Sequence, residues 1–519
     1  MKLLRSIVTV GIYTMGSRIV GFLRTTLMAN FLGAGPMADA AAIAVKIPSL
    51  LRRVFAEGAM NAAFVPTFSA LLATKGREEA RTYAEEVLSI LVMILSVVII
   101  LAELFMPSFL TLFLPGFKST PERLEYTIIF TRLTFPFILL ISLTALYGGV
   151  LNSLEKFAAV AASPMMGNIA ILVVAFILLP ISPSAGHAFA YGILGCGVVQ
   201  WFWVLVPTHR EGMALRLRRP RLTPGVKRFF LLVGPAAAGS GVVQINIFLD
   251  MFIASYLPTG GISFLNYAER LNQLPLSMLG TAVGTALLPL LSKQWRLGQN
   301  KEAMESQNLA LEYAFLFSAP ALVALLIYAE PLVKVLYEHG KFTIHDTRET
   351  AYTLMALVSG LPAYIMVKIF STSFFARENT RTPVMIAVGS VGINLTLNLL
   401  LIKPLAHVGL ALSTSIAAWL NAFTLAVILK RQGLLAMTPR FRVFLPRALL
   451  TILLTTFTFW LARSTVQNLV NTAKAAQIVT MSGIVIVGIV IFVAYAIITG
   501  ALDTSDLRRQ LRSKLSPQE

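Results

Sequence analysis

Long apolar segments with few charges follow one another along the whole chain, and they constrain its fold more than any other feature. A helix needs about 20 predominantly apolar residues to cross the hydrocarbon core of a bilayer. By this criterion the sequence contains fourteen segments, near residues 7–32, 37–72, 86–112, 124–151, 158–180, 185–207, 228–257, 262–291, 308–330, 349–375, 383–403, 408–429, 444–462 and 476–501. Because backbone polar groups cannot stay unpaired in lipid, each segment is predicted to be helical. The expected fold class is an all-α membrane protein with fourteen transmembrane helices.

The composition also indicates a membrane protein and argues against several other classes. Of the 519 residues, 56% are hydrophobic and only 13% are charged, whereas about a quarter of a typical soluble domain is charged. The net charge of +19 does not indicate nucleic-acid binding, because the Lys and Arg residues lie between apolar segments rather than on one solvated face. Cys196 is the single cysteine, and the five histidines show no metal-ligand spacing. Neither a disulfide framework nor an enzymatic metal centre is expected.

The basic residues between the segments are distributed unevenly, which predicts an orientation. If the N-terminus is cytoplasmic, the cytoplasmic segments contain 27 Lys and Arg residues and the outer segments contain eight. Cytoplasmic loops of membrane proteins carry an excess of Lys and Arg. Both termini are therefore predicted to be cytoplasmic.

A weak internal repeat with a period near 225 residues indicates two similar halves. Gly16-Ser17 recurs as Gly239-Ser240, Phe64-Val65-Pro66 as Leu287-Leu288-Pro289, and Asn168 as Asn394. The predicted domains are an N-lobe at 1–208, a basic cytoplasmic linker at 209–227, a C-lobe at 228–432, a further helix pair at 433–502 and a cytoplasmic tail at 503–519. The linker is amphipathic enough to lie on anionic lipid.

Eight basic residues fall within the predicted spans, and five of them lie in the first two: Arg18, Arg24, Lys46, Arg52 and Arg53. Each such charge costs roughly 2.5 to 3.5 kcal/mol on insertion scales, so it suggests a function. On the first helix, Ser17, Gly21 and Arg24 share a face. Gly21 leaves room for a ligand, and guanidinium groups match diphosphate oxygens well. Alternatively, these cations pair with Asp39 and Glu57 to hold helices together, but two acids cannot neutralise five bases.

Two further places in the sequence carry candidate substrate residues. Arg52 and Arg53 cannot point the same way on a helix, and Arg53 has Glu57 one turn later, so Arg52 is left for the substrate. The segment at 37–72 is too long for one pass and is expected to be bent there. In the second half, Ser263, Glu269 and Arg270 open the eighth span. For Arg270, substrate binding and a salt bridge to another helix remain open alternatives.

Asp250, Asn394 and Asn398 form an oxygen-rich set on spans seven and eleven. Hard cations such as Na⁺ prefer such oxygen ligands. Buried amides also form hydrogen bonds between membrane helices, and this alternative remains open.

At these residues the sequence resembles the MurJ (MviN) family of lipid II flippases, in the multidrug/oligosaccharidyl-lipid/polysaccharide exporter superfamily. The motifs that carry the resemblance are Ser17-Arg18-Ile19-Val20-Gly21-Phe22-Leu23-Arg24, Leu50 to Ala59, Phe64-Val65-Pro66, Tyr267-Ala268-Glu269-Arg270 and Gly340-Lys341-Phe342-Thr343. The resemblance implies two six-helix lobes around a V-shaped central cavity, plus an extra helix pair that forms a lipid groove. It also implies that Arg18, Arg24, Arg52 and Arg270 are essential, and that Ser17, Gly21, Asp39, Glu57 and Ser263 line the cavity. Glu269 departs from the family pattern, in which other members carry Asp, and Asn398 stands where some members have a sodium-binding carboxylate.

The function that the resemblance implies is movement of lipid II across the bacterial inner membrane by alternating access. The expected partners are lipid II, membrane lipids and other cell-wall synthesis proteins, but not nucleic acid. The protein is expected to act as a monomer and a non-enzyme, with Na⁺ as the one candidate coupling ion. Two alternatives remain: a cation-coupled drug or polysaccharide-lipid exporter of the same superfamily, and a non-transporting scaffold for cell-wall enzymes.

Overall fold

The computed structural model describes residues 2–53, 63–282, 287–472 and 476–502 of the chain. Over these residues the regular structure is entirely helical, so the expected all-α class is confirmed. The α-helices are α1 (Lys2–Leu32), α2 (Pro36–Arg52), α3 (Val65–Thr74), α4 (Arg77–Phe113), α5 (Pro121–Thr134), α6 (Phe137–Ser153), α7 (Phe157–Leu178), α8 (Ala185–Arg210), α9 (Pro224–Ala254), α10 (Gly261–Ala282), α11 (Leu288–Arg296), α12 (Asn300–Ile327), α13 (Ala329–Tyr337), α14 (Ile344–Val358), α15 (Leu361–Phe375), α16 (Arg381–Arg431), α17 (Pro439–Thr472) and α18 (Gln477–Ile498). A short 3-10 helix, Pro115–Ser119, precedes α5.

Several of these helices form membrane-spanning segments. Within the described ranges, nine segments are long and apolar enough to cross a membrane: Arg77–Phe113, Pro121–Ser153, Phe157–Leu178, Ala185–Arg210, Asn300–Ile327, Ile344–Phe375, Arg381–Arg431, Pro439–Asn471 and Gln477–Ile498. Their outer faces are apolar; Leu104 of α4 and Ile498 of α18 are 67% and 76% exposed. Such extensive exposed apolar surface needs lipid rather than water as its solvent. The protein is thus a multi-pass membrane protein, while the total of fourteen spans stays a prediction.

The chain forms two compact units, and unit 1 comprises Met1–Ser263 together with Gly340–Phe342. In unit 1, α8 packs against α6 and α7, α1 packs on α7, and α2 packs on α5. Gly167 lets α7 approach α8 closely, because a Cβ atom at this position would lie 2.7 Å from the Sγ atom of Cys196. The rings of Phe64 and Tyr83 stack 5.7 Å apart in a core that also buries Leu146.

Unit 2 comprises Phe264–His339 and Thr343–Glu519. Here α15 and α14 pack on α16, and α17 packs on both α12 and α18. The hydroxyl of Tyr328 donates a hydrogen bond to the backbone carbonyl of Phe459 over 3.1 Å, which ties the start of α13 to α17. The two C-terminal helices are therefore an integral part of this unit.

Helix α16 consists of two helices joined at a kink. Ala406 has φ 45° and ψ −127°, which lies outside the helical region. The kink falls between the spans predicted at 383–403 and 408–429. Next to it, the Nε2 atom of His407 lies 3.1 Å from the Oε2 atom of Glu349 in α14, so this end of α16 is fastened to α14.

The basic segment that follows α8 packs against unit 1, which differs from the predicted linker between separate lobes. Residues 213–223 have no regular structure, and Met213 and Leu215 are buried in the core beside α4. Helix α9 also belongs to unit 1, where the backbone N–H of Gly116 donates a hydrogen bond to the hydroxyl of Ser255. Along the chain, the main part of unit 1 therefore ends at Ser263, after α9, which is one helix later than the predicted start of the C-lobe at residue 228. The lobes of the sequence analysis remain a prediction.

Local features recur in the two units at a nearly constant spacing, close to the predicted period. Left-handed backbone conformations occur at Gly76, Glu155 and Gly212 of unit 1, and at Gly298, Glu378 and Gly433 of unit 2. These positions follow equivalent helices in the two halves, so they are turns of one repeated framework.

A buried glutamate performs the same task in each unit. Glu85 of α4 is 1% exposed and accepts a hydrogen bond from the Nε atom of Arg218, in the segment after α8. Glu312 of α12 is 5% exposed and lies 2.9 Å from the Nε atom of Arg440, in the first turn of α17, which follows α16. Each acid thus anchors the chain as it leaves the last helix of its half.

Candidate functional site: intramembrane arginines

The polar face of α1 is confirmed, and its partner is an amide of α7. The Nη1 atom of Arg24 donates a hydrogen bond to the Asn168 side-chain oxygen over 3.1 Å. The Nδ2 atom of Asn168 donates in turn to the Ser17 backbone carbonyl (3.3 Å) and hydroxyl (3.4 Å). A Cβ atom on Gly21 would lie 3.4 Å from the same nitrogen, so the glycine lets the amide pack against the helix. Asn168 therefore orients the Arg24 guanidinium, a role that the sequence analysis missed although it had noted the Asn168 repeat.

Two of the predicted arginines of unit 1, Arg24 on α1 and Arg52 at the end of α2, are half-buried. Arg18 is also half-buried and lies six residues, or nearly two turns, before Arg24 on α1. Within the described part of the chain, neither Arg18 nor Arg270 forms an ion pair. Guanidinium groups in such positions favour an anionic ligand.

Glu57, the predicted partner of Arg53, lies outside the described residues. The predicted bend, expected around Pro48 to Gly58, is described only up to Arg53, and α2 ends at Arg52. Arg53 is exposed and Arg52 is half-buried at the end of α2. This exposure agrees with the expected difference between the adjacent arginines, but the proposed pairing stays a prediction.

Asp39 and Ser263 belong to a fully buried network in unit 1. The Oδ2 atom of Asp39 lies 3.1 Å from the Nη2 atom of Arg123 and accepts a hydrogen bond from the Gly260 backbone N–H (2.8 Å). Its Oδ1 atom accepts from the Ser263 backbone N–H (2.9 Å) and hydroxyl (2.7 Å). Arg123 also donates to the Leu257 carbonyl over 2.9 Å. The network joins α2, α5 and the start of α10, so contact of Asp39 or Ser263 with substrate would require it to open.

In the sequence, Arg123 is one of the eight basic residues of the outer segments, and its pairing with Asp39 was not predicted. Arg123 is 2% exposed and its guanidinium carbon lies 4.2 Å from the centre of the Phe117 ring. A buried carboxylate requires a cationic or hydrogen-bonding partner. The need of Asp39 for a partner could be inferred from the sequence, but the sequence did not indicate which basic residue is that partner.

Arg270 lies in unit 2, beside two tyrosines. It is half-buried on α10, three residues after Tyr267 and therefore close to it on the helix surface. The Tyr337 and Tyr267 rings lie 5.3 Å apart. Glu269 points elsewhere: it is exposed and accepts a hydrogen bond from Gln273 over 3.0 Å. This agrees with the expectation that the two adjacent charged residues lie on different faces of the helix.

The residues of the predicted cation site are divided between the units. Asp250 of α9 belongs to unit 1 and accepts a hydrogen bond from Asn246 over 3.3 Å. Asn394 and Asn398 lie on α16 in unit 2 and are 4% and 1% exposed. The Asn394 side-chain oxygen is buried and accepts no hydrogen bond from the described residues. An amide oxygen in this state suits either a cation or a water molecule, so Na⁺ binding stays a prediction.

A family model described as lipid II flippase MurJ matches residues 28–481 of this chain. The chain belongs to the MurJ family. A MurJ-family relative from Rhizobium meliloti (strain 1021), named probable lipid II flippase MurJ, is 38% identical over 523 residues, which cover 99% of this chain and 97% of the relative. The resemblance inferred from the arginine motifs is thereby confirmed.

Solved structures agree with the MurJ assignment. A lipid II flippase MurJ in an inward closed conformation matches with a TM-score of 0.76 at 26% identity, covering 95% of this chain and 98% of that one. An inward-facing multidrug resistance MATE family transporter of the MOP superfamily has a TM-score of 0.67 at 14% identity, covering 82% of this chain and 98% of that one. This second match indicates a shared fold only.

Proposed function

We propose that this protein is a lipid II flippase, which moves the undecaprenyl-diphosphate-linked peptidoglycan precursor from the cytoplasmic to the periplasmic leaflet of the bacterial inner membrane. The observation that supports this proposal most strongly is membership of the MurJ family combined with half-buried arginines in apolar helices. The family is named for transport, not for catalysis. A flippase for this substrate needs cationic groups at membrane depth, because the diphosphate is anionic.

The arginines have a specific role in the proposal. Arg18, Arg24, Arg52 and Arg270 engage the diphosphate during transport, and Asn168 holds Arg24 in position. Guanidinium groups can bind phosphate oxygens through two parallel hydrogen bonds. Ser17, Gly21, Glu57, Glu269 and the Asp39–Ser263 network complete the proposed cavity residues.

The proposed topology has fourteen transmembrane helices, two six-helix lobes, a C-terminal helix pair and cytoplasmic termini. The uneven distribution of basic residues supports the orientation. The repeated turns and the anchors Glu85 and Glu312 support two related halves. In this topology, the Asp39–Arg123 network lies at the periplasmic ends of its helices.

Alternating access accounts for transport without a nucleotide. The substrate enters from the cytoplasmic side, and the network around Asp39 opens when the periplasmic side opens. Moving an anion toward the positive outer side is favoured by about 2.3 kcal/mol per charge per 100 mV. Na⁺ bound by Asp250, Asn394 and Asn398 is the proposed candidate for a coupling ion.

The other functions considered for the sequence receive less support. A drug-cation exporter needs acids at the positions where this chain carries Arg18, Arg24 and Arg52. The likeness to a MATE transporter concerns the fold and does not favour this function. A non-transporting scaffold would not need several arginines within the membrane.

Reconstitution into liposomes with labelled lipid II tests the proposal. We expect the wild-type protein to move the lipid and Arg24→Ala to lose at least about thirtyfold of that rate, since losing a buried charge contact costs roughly 2 kcal/mol or more. Arg132→Ala is the matched control, because Arg132 lies within a predicted span but is paired with Glu103 at 3.8 Å. Failure of the wild-type protein to bind or move lipid II would refute the proposal, as would equal activity of Arg24→Ala.

A further inference from the structure

A polar cavity of about 530 Å³ lies in unit 2, and none of the intramembrane arginines lines it. It opens where α11, α15 and α16 end and α12 begins. The polar and aromatic side chains that line it are Trp295, Arg296, Asn300, Arg377, Glu378 and Gln432. Its volume is within the range of roughly 300 to 1,000 Å³ that is usual for small-molecule sites. In the predicted topology, this end of unit 2 faces the cytoplasm at the level of the lipid headgroups.

The charges around the cavity favour an anion. The guanidinium carbon of Arg377 lies 5.3 Å from the centre of the Trp295 ring, which holds this side chain over the indole. Arg296 pairs with Glu378 over 3.3 Å, but both side chains are largely exposed and such pairs are weak. One acid thus faces two arginines. Exposed charges of both signs occupy the adjoining turns, with cations in excess: Lys293, Lys301, Arg381, Lys430 and Arg431 against Glu302 and Glu305.

The equivalent corner of unit 1 is built differently, and this difference is informative. Lys156 follows the left-handed residue Glu155, and Glu211 precedes the left-handed Gly212. The Nζ atom of Lys156 lies 2.8 Å from the Oε1 atom of Glu211, and Arg77 donates a hydrogen bond to the Glu211 carbonyl over 3.3 Å. An ion pair therefore occupies this corner of unit 1.

In unit 2, neutral residues replace both members of that ion pair. Asn379 follows the left-handed Glu378, and Gln432 precedes the left-handed Gly433. The Asn379 side chain bonds with Thr382 (3.0 and 3.1 Å) rather than with Gln432. Unit 2 thus has the neutral Gln432 where unit 1 has the acid Glu211, and Arg377 is an additional cation at this corner. Three of the four helix ends at this corner are C-termini, whose partial negative charge attracts cations. Because the unit 1 corner lies at equivalent helix ends, this attraction does not account for the difference between the two corners.

We infer that this cavity binds a phosphate-bearing anion, carried either by an acidic phospholipid headgroup or by a soluble phosphorylated molecule. Arg377 and Arg296 supply the guanidinium groups that match phosphate oxygens. The amides of Asn300 and Gln432 supply further donors to the polar part of the ligand. Trp295 is the kind of aromatic residue that is enriched at the membrane interface.

Native mass spectrometry of the purified full-length protein tests this inference. The probes are phosphatidylglycerol, phosphatidylcholine with the same acyl chains, and glycerol 1-phosphate. We expect the wild-type protein to prefer phosphatidylglycerol over phosphatidylcholine, and Arg377→Gln to weaken that binding about tenfold, since a charge-assisted hydrogen bond is lost. Gln432→Glu restores the acid of the unit 1 corner and should weaken binding by a similar factor.

Arg442→Gln is the matched control, because Arg442 is an exposed arginine in the same region that does not line the cavity. Its binding should stay within about twofold of the wild type. Binding of glycerol 1-phosphate that depends on Arg377 would assign the site to a soluble ligand, and binding of phosphatidylglycerol alone would assign it to lipid. Equal binding of the two phospholipids, unchanged binding by both cavity variants at unaltered melting temperature, or an equal loss in Arg442→Gln would overturn the inference.

Discussion

Asn168 of unit 1 and Asn394 of unit 2, which the weak internal repeat of the sequence pairs, have side chains with different surroundings. The Asn168 oxygen accepts a hydrogen bond from Arg24, whereas the Asn394 oxygen is buried without a donor among the described residues. By contrast, the anchors Glu85 and Glu312 have the same role in both units. The glutamate anchors are therefore alike in the two units, whereas the partners of these two amides differ. The positions where the units differ are the ones to test for function.

The largest expected effect concerns the network that fastens unit 1. Asp39→Ala should lower the free energy of unfolding by about 3 to 5 kcal/mol, because it leaves Arg123 buried without its carboxylate. Denaturation of the purified protein in detergent measures this loss. Glu349→Ala in unit 2 is the comparison and should cost only about 1 kcal/mol, because Glu349 is 27% exposed and its partner is a histidine. Equal losses of unfolding free energy would mean that the Asp39 and Glu349 contacts stabilise the protein equally.

The next effect tests the two amides directly. Asn168→Ala should slow lipid II transport about tenfold, because Arg24 loses the hydrogen bond that orients it. Asn394→Ala should leave the transport rate within about twofold when it is measured in sodium-free buffer. Both rates come from the liposome assay. A normal rate for Asn168→Ala would show that the amide packs the helices but does not position the guanidinium.

A smaller effect is expected at the shared anchors. Glu85→Gln and Glu312→Gln should each lower the free energy of unfolding by about 1 kcal/mol, since each amide retains the shape of the acid but loses its charge. Thermal denaturation of the two variants side by side measures this. If one variant were as stable as the wild type, the anchors would not be equivalent.

The smallest expected effect concerns sodium. If Na⁺ binds the Asn394 and Asn398 oxygens, adding NaCl in place of choline chloride should raise the melting temperature of the wild-type protein slightly, because a ligand stabilises the folded state to which it binds. Asn394→Ala and Asn398→Ala should remove this shift, while Asn168→Ala should keep it. A shift that persists in both unit 2 variants would place the sodium effect elsewhere.

The helical segments could be predicted because their signal is local. A run of about 20 apolar residues determines a membrane helix without reference to any other part of the chain. The same holds for the polar face of α1, since the positions of Ser17, Gly21 and Arg24 on a helix follow from its periodicity. The family could be inferred for a similar reason, because its motifs are short and continuous.

The partners of these residues could not be predicted, because they depend on packing between distant segments. Arg123 was predicted to lie in an outer loop, but in the folded protein it is buried and pairs with Asp39. The sequence around Arg123 does not indicate this burial. In the segment after α8, which was expected to lie on lipid, the packing of Met213 and Leu215 beside α4 could not be predicted. Arg377 was counted only as a cytoplasmic charge, because its stacking on Trp295 requires the ends of two helices to meet.

The hydrogen bonds to Asp39 also bear on how this position responds to mutation. Two of its donors are the backbone N–H groups of Gly260 and Ser263, which most substitutions leave in place. A change of Ser263 to alanine would remove only the hydroxyl donor, and the carboxylate would keep three partners. A substitution at Ser263 therefore leaves most partners of Asp39 in place, whereas a substitution at Arg123 or Asp39 leaves the other charged residue buried without its partner. The two charged residues are expected to be replaced together or not at all.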